Sequence, residues 1–248
     1  MSHWMARYFF VAVCALGLSA GWGQAAARAE GQREDQDVKQ VVAKFESRYR
    51  AARTLQATFL ERYLENGRLA RTEAGVAYFR RPGKMRWEYE EPERNLFLVD
   101  GKWAWFYVPA DHTVTRAPAK QSSDWRTPLA LLAGEMKVSR VCSRVERTAE
   151  ERPENGQNVI LRCVLRGEEG QTGQPARAQN DAVFFEIVRD TGELVRIVAR
   201  QSGGVAIEFN FANWAMDPVI AEAKFHFEPP MGVAIVNGDE PVGSRAKK

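Results

Sequence analysis

Residues that perform covalent or metal chemistry are scarce in this sequence. Its 248 residues include three histidines and three cysteines, and beyond residue 29 no HExxH, CxxC, GxSxG or Walker-type glycine loop occurs. Zinc-protease, dithiol-redox, serine-hydrolase and phosphate-loop chemistry therefore lack their usual residues. His112 falls at an expected hairpin tip. His226 lies between Phe225 and Phe227 in an expected strand and should point away from their face, into solvent. The one markedly apolar run, Tyr8 to Leu18, is shorter than the roughly 20 residues a spanning helix needs. Charge of either sign is nearly balanced, with a net value of +3, too small to imply nucleic acid by itself. No solenoid-length repeat is present. Glu88, Glu90, Glu91 and Glu93 form a carboxylate cluster of the kind glycosidases use. Four acids around a proline-bounded turn fit a solvated loop better. These absences favour a binding protein over an enzyme, with no cofactor and no metal.

The N-terminus has a targeting pattern. Arg7 precedes the apolar run, and Ala25, Ala27 and Ala29 offer small-x-small sites. Residues 1–29 are expected to be a secretory signal peptide, cut after Ala27 or Ala29, with an uncleaved anchor as the alternative. Cys14 lacks the context of a lipid-attachment site, because Val13 precedes it and the apolar run continues to Leu18. Export also argues against a nucleic-acid role for the basic and aromatic residues Arg80, Arg81, Lys84, Arg86, Trp87 and Tyr89. Residues 30–236 suit one domain of roughly 200 residues. The polar tail 237–248 is expected to be disordered.

Val38, Val41, Val42, Phe45 and Tyr49 follow helical spacing, which predicts an amphipathic helix from about Asp35 to Ala52. Strands are expected at 55–64, 72–79, 138–148, 157–166, 182–189, 194–201, 205–211 and 224–228, and a short helix at Pro128 to Ala133 with Thr127 as its cap. Cys142 and Cys163 are equidistant from the middle of the polar loop Ala149 to Gly156, which would set them opposite each other on paired strands. In an oxidising compartment a disulfide follows; two buried free thiols are the alternative.

The most informative stretch is Tyr78 to Val108. It reads as three strands broken at Arg81-Pro82-Gly83 and at Asp100-Gly101. Its runs LFLV and WAWFYV do not alternate apolar with polar, so both faces should meet apolar material. Many short antiparallel strands with two helices indicate a mostly β, α+β chain whose strongly curved sheet approaches a barrel.

Arg81-Pro82, Arg86-Trp87, Pro92, Asp100-Gly101-Lys102, Trp105 and Tyr107 resemble the pattern of the periplasmic outer-membrane lipoprotein carrier family (LolA-like). Ala223 to Val233, with Pro229-Pro230-Met231-Gly232-Val233, is similar to that family's closing strand and its Pro-Pro-x-Gly-Val signature. Thr127-Pro128-Leu129 with Leu131-Leu132 is similar to its lid helix. The resemblance spans most of residues 35–236. It implies an open antiparallel β-barrel closed by a helical lid over an apolar cavity. It implies a periplasmic, monomeric chaperone that carries acylated lipoproteins from an inner-membrane ABC exporter to an outer-membrane acceptor. A same-fold carrier or sensor of another amphiphile, and a non-catalytic β interaction domain, are the alternatives. By the resemblance, Arg81 is the lid switch, hydrogen-bonding lid backbone when closed, with Arg80 as the neighbouring alternative. Met85, Trp87, Leu129 and Leu132 would line the acyl cavity; ordinary core packing is the plainer role for each.

Overall fold

The computed structural model describes residues 20–119, 130–166, 182–201 and 203–238. The chain divides into a unit ending at Asp37 and a second running from Val38. Helix α1, Ala20–Arg50, begins well before the expected start. The Ala, Arg, Glu and Gln residues between 24 and 36 are good helix formers and extend it without an apolar stripe.

The second unit is built on one 12-stranded sheet. Its strands are β1 (Thr54–Glu65), β2 (Arg68–Arg80), β3 (Lys84–Glu91), β4 (Leu96–Val99), β5 (Trp103–Val108), β6 (Thr113–Pro118), β7 (Cys142–Arg147), β8 (Asn158–Leu165), β9 (Ala182–Val188), β10 (Leu194–Gln201), β11 (Val205–Met216) and β12 (Ala234–Asn237). The order across the sheet is β12-β6-β5-β4-β3-β2-β1-β11-β10-β9-β8-β7. The sheet is curved and unclosed, with β12 and β7 as its edges. Short helices α2 (Ala130–Ala133) and α3 (Val138–Val141) precede β7.

Period-two alternation positions the core. Leu55, Ala57 and Phe59 of β1, Ala77 and Phe79 of β2, and Met85, Trp87 and Tyr89 of β3 are buried on one face, here called inner. Val159 and Leu161 of β8, Phe185 of β9, Ile197 of β10 and Phe209 of β11 continue that surface. The unalternating run of β4 has a tertiary cause. Phe97 joins the inner core, while Leu98 packs on the outer face with Trp105 and Val114. Phe227 and Val233 of the C-terminal segment cover that outer cluster.

Two expected strands need correction. Residues 138–141 form a helical turn, and β7 begins only at Cys142; the Glu46 carboxylate accepts the Val138 N–H at 2.7 Å and caps it. Residues 224–228 are not a strand. Glu222–Phe225 is a 3-10 turn, and the closing strand is β12, parallel to β6. Pro229 and Pro230 cannot donate to a ladder, so pairing resumes beyond them. It runs through Asn237, with the Gly238 N–H reaching the Arg116 carbonyl at 3.0 Å.

The cysteines are joined, with Sγ atoms 2.06 Å apart and Cα atoms 5.4 Å apart. They are not opposite each other. Cys142 faces Leu165 and Cys163 faces Val145, because the hairpin turns later in the chain than the middle of the polar loop; the bulge between Cys142 and Arg144 takes back one residue of that offset. Closing a loop with a separation of 21 residues should stabilise the fold by about 3 kcal/mol. Urea unfolding of the Cys142→Ala, Cys163→Ala double variant measures it; an unchanged midpoint would show the link to be energetically idle.

The turn between β4 and β5 is held by one carboxylate. Asp100 Oδ1 accepts the Lys102 and Trp103 N–H groups, each at 2.7 Å, and Oδ2 accepts the Trp105 indole N–H at 2.9 Å. Burial pushes the Asp100 pKa up, but these donors outweigh it and hold the carboxyl below its usual range. A lowered folded value means that the group's contribution is complete above the ordinary carboxylate pKa near about 4. It is lost as pH falls through the lowered value. Asp100→Asn should cost about 2 kcal/mol at neutral pH and flatten the acid limb of a stability-versus-pH curve. A parallel, unflattened curve would contradict this assignment.

Candidate functional site

The inner face is the candidate site. Phe59, Phe79, Phe209 and Phe211 surround Trp87 edge-on, with centroid separations of 4.8, 5.9, 5.2 and 6.0 Å. Met85 is buried beside them and Trp87 is fully buried. Leu132, also fully buried, joins the same core from α2, which lies against β2 and β3. Leu129, with Thr127 and Pro128, lies outside the described residues.

Two elements cover this face. The first is the stretch of α1 from Val38 onward, which buries Val38, Val41, Phe45 and Tyr49. It is pinned to the turn between β9 and β10. Arg48 pairs with Glu193, and the Lys44 ammonium donates to the Arg189 carbonyl at 3.2 Å. The Tyr49 hydroxyl accepts the Leu194 N–H at 3.0 Å. Burial, the largest influence, pushes Tyr49 up to about 12, so this hydroxyl stays protonated at neutral pH. Trp214 meets Tyr49 edge-on, with ring centroids 5.1 Å apart, and donates its indole N–H to the Leu194 carbonyl at 2.9 Å. The second cover is α2.

The Arg81-Pro82-Gly83 corner holds both. The Arg81 guanidinium donates through Nη1 to the carbonyls of Arg50, at 2.9 Å, and Ala52. The Gly83 N–H donates to the Ala133 carbonyl at the end of α2, at 2.8 Å. Glycine suits that position, whose φ is +73°. Burial lowers the Arg81 pKa, and nearby Asp217 opposes the shift. Among the described residues, the acceptors of Arg81 thus lie at the end of α1, and it is the Gly83 backbone that reaches α2. Arg80 faces elsewhere: its guanidinium bonds the Ile220 carbonyl at 3.1 Å and pairs with Glu222 at 2.8 Å.

A separate outer cleft of about 1100 Å³ includes Arg86, Glu88, Glu90, Lys224 and His226 in its lining. Such charged walls do not suit hydrocarbon. Glu88 pairs with Arg86 at 2.7 Å and Lys224 at 3.2 Å. Burial raises its pKa, but the two cations outweigh burial and hold the carboxyl low. That is opposite to the shift a general acid needs.

Sequence reasoning missed several inner residues. Phe59, Phe209 and Phe211 were readable from alternation in β1 and β11. Buried Glu61 was not: it occupies an inward position in β1 and accepts the Tyr89 hydroxyl at 2.7 Å.

Residues 50–162 match the family model described as "Outer membrane lipoprotein carrier protein LolA". The outer-membrane lipoprotein carrier protein of Nitrosomonas europaea is 31% identical over 192 residues, covering 75% of this chain and 83% of that protein. The chain belongs to the outer-membrane lipoprotein carrier family. The carrier of Methylococcus capsulatus is likewise 31% identical, over 75% of this chain and 82% of its own. That of Chromobacterium violaceum is 29% identical over 80% and 88%. The stretch matched by the family model contains Arg81, Met85, Trp87 and Leu132, so it takes in the gripping corner and part of the aromatic floor, while Phe209 and Phe211 lie beyond it.

Proposed function

We propose that this protein is a periplasmic chaperone that binds the acyl chains of lipoproteins released from the inner membrane and delivers them to the outer membrane. The observation that carries the reading is the inner face itself: an aromatic and aliphatic floor covered by α1 and α2, with both covers fastened at one corner. Each methylene moved from water to such a surface contributes about 0.8 kcal/mol, so several acyl chains bind readily and release is the harder step. A cover held by a few polar bonds solves it. Cargo displaces α2 and loosens α1, and their reclosure helps to expel the chains. Arg81 is the switch in this account. Met85, Trp87, Leu132 and Leu129 form the floor and lid.

An inner-membrane ABC exporter would load the carrier, and an outer-membrane acceptor lipoprotein or the membrane would receive the cargo. The working form is residues 30–236 as a monomer, after removal of 1–29. Family membership and the leader-like N-terminus support this reading.

Native mass spectrometry of protein purified from periplasm is the test. A carrier should retain acylated polypeptides as discrete adducts. Adducts of glycolipid alone would reassign the cargo. A chain that takes up no lipid even when incubated with acylated peptide would be an interaction domain with a filled core.

A further inference from the structure

The floor contains a hydrogen-bond donor with no acceptor. Trp87 is fully buried, and its indole Nε1–H has no hydrogen-bond partner among the described residues. Two other indoles in this fold are satisfied: Trp105 donates to Asp100 at 2.9 Å, and Trp214 donates to the Leu194 carbonyl at 2.9 Å. A buried indole usually finds a partner, and leaving one unpaired is costly. Trp87 sits mid-strand on β3, opposite Ala77 of β2 and Phe97 of β4. The rings of Phe59, Phe79, Phe209 and Phe211 surround it. Those rings offer at most the weak acceptor of a π-face.

The ligand chemistry that fits is narrow. It must be mostly hydrocarbon, to match the floor, and must carry one neutral acceptor. A carboxylate would cost too much in this setting. An ester carbonyl at the head of an acyl chain meets both demands.

We infer that Trp87 is a binding residue whose indole N–H donates to an ester carbonyl of the cargo's glycerol-linked acyl chains. This rests on the carrier reading above and adds a polar anchor to a site otherwise held by hydrophobic contact. The anchor sets how deep the chains enter. It also selects ester-linked chains over ether-linked ones of equal length.

The test uses the chain after removal of residues 1–29, with three short-chain probes: a peptide with a diester-linked diacylglyceryl cysteine, its diether analogue, and a diester phospholipid. Binding is measured by calorimetry, and the indole 15N–1H resonances are followed in parallel. The Trp87 signal is assigned through Trp87→Phe or, if that variant does not fold, by changing Trp103, Trp105, Trp125 and Trp214 singly. The diester peptide should shift the Trp87 resonance and the diether should not. Trp87→Phe should weaken diester binding about tenfold and leave diether binding unchanged. An unmoved Trp87 resonance in the diester complex overturns the inference, as does equal weakening for diester and diether. A shift with phospholipid alone overturns the assignment to lipoprotein cargo. Should the wild-type chain bind no probe at all, the carrier reading itself fails and takes the inference with it.

Discussion

Arg81→Leu is expected to separate capture of acylated cargo from its delivery. The substitution removes the charged hydrogen bonds that the guanidinium gives to the carbonyls of Arg50 and Ala52. A hydrogen bond to a charged group contributes about 1.5–3 kcal/mol, so the covered state should lose a factor of ten to a hundred relative to the open one. Capture should then persist or improve, because less is needed to displace the cover. Hand-off to acceptor should fall by the same order, because reclosure no longer expels the chains. Arg81→Lys should recover only part of this: one nitrogen, Nη1, makes both bonds, and the lysine ammonium sits on a shorter stem and is more strongly hydrated. Arg80→Leu is the matched control, as its bonds go to Ile220 and Glu222 in the C-terminal segment. Capture and transfer are measured separately, alongside melting temperature. Equal loss of both steps in proportion to the melting temperature would make Arg81 merely structural. A transfer defect confined to Arg80→Leu would move the switch to that residue.

Gly192→Ala should give the largest loss of stability among single surface-turn changes. A Cβ at Gly192 would lie 2.5 Å from the Lys44 carbonyl carbon and 2.6 Å from the Phe45 nitrogen, and φ there is +70°. The turn touches the α1 backbone directly, so neither side can yield without moving the helix. Backbone strain and overpacking together should cost about 3 kcal/mol, lowering the melting temperature by roughly 10 °C in a domain of this size. The same shift would pull Phe45 and Tyr49 from the inner face and loosen the Tyr49–Leu194 hydrogen bond. Binding of an environment-sensitive dye should therefore rise. Gly203→Ala separates the two causes. Its φ is +96°, but nothing lies within 4 Å of the added carbon, so only strain of about 1 kcal/mol remains. Equal effects from both variants would show that the approach to α1 carries no weight.

The corner at Arg81-Pro82-Gly83 marks the border between what could and could not be read in advance. Proline and glycine announced the turn, and alternation in β1, β2 and β3 placed Phe59, Phe79, Met85 and Trp87 on one face. The partners of the corner were not legible, because Arg50, Ala52 and Ala133 meet it through backbone carbonyls. Every residue carries a carbonyl, so sequence does not mark the ones chosen. The cysteines show the same limit in another form. Symmetry about a loop found the pair, but the hairpin turns later than the middle of that loop, so each cysteine faces another residue across the ladder. The LFLV run correctly announced two buried faces. It could not say that Phe227 and Val233, more than a hundred residues later, supply the second cover.

By itself, then, the sequence determined the class of the molecule: many short strands, an amphipathic covering helix and an apolar inner stripe. These follow from local periodicity and turn chemistry, which act over a few residues. Tertiary structure alone decided that β12 forms one edge of the sheet, parallel to β6, that α1 and α2 share one fastening corner, and that Trp87 keeps an unpaired donor among phenyl rings. Each of these depends on which backbone and side-chain groups the curvature of the sheet brings together across long stretches of chain, and hydrophobic pattern is blind to such polar pairings because burial is non-directional while hydrogen bonds are not.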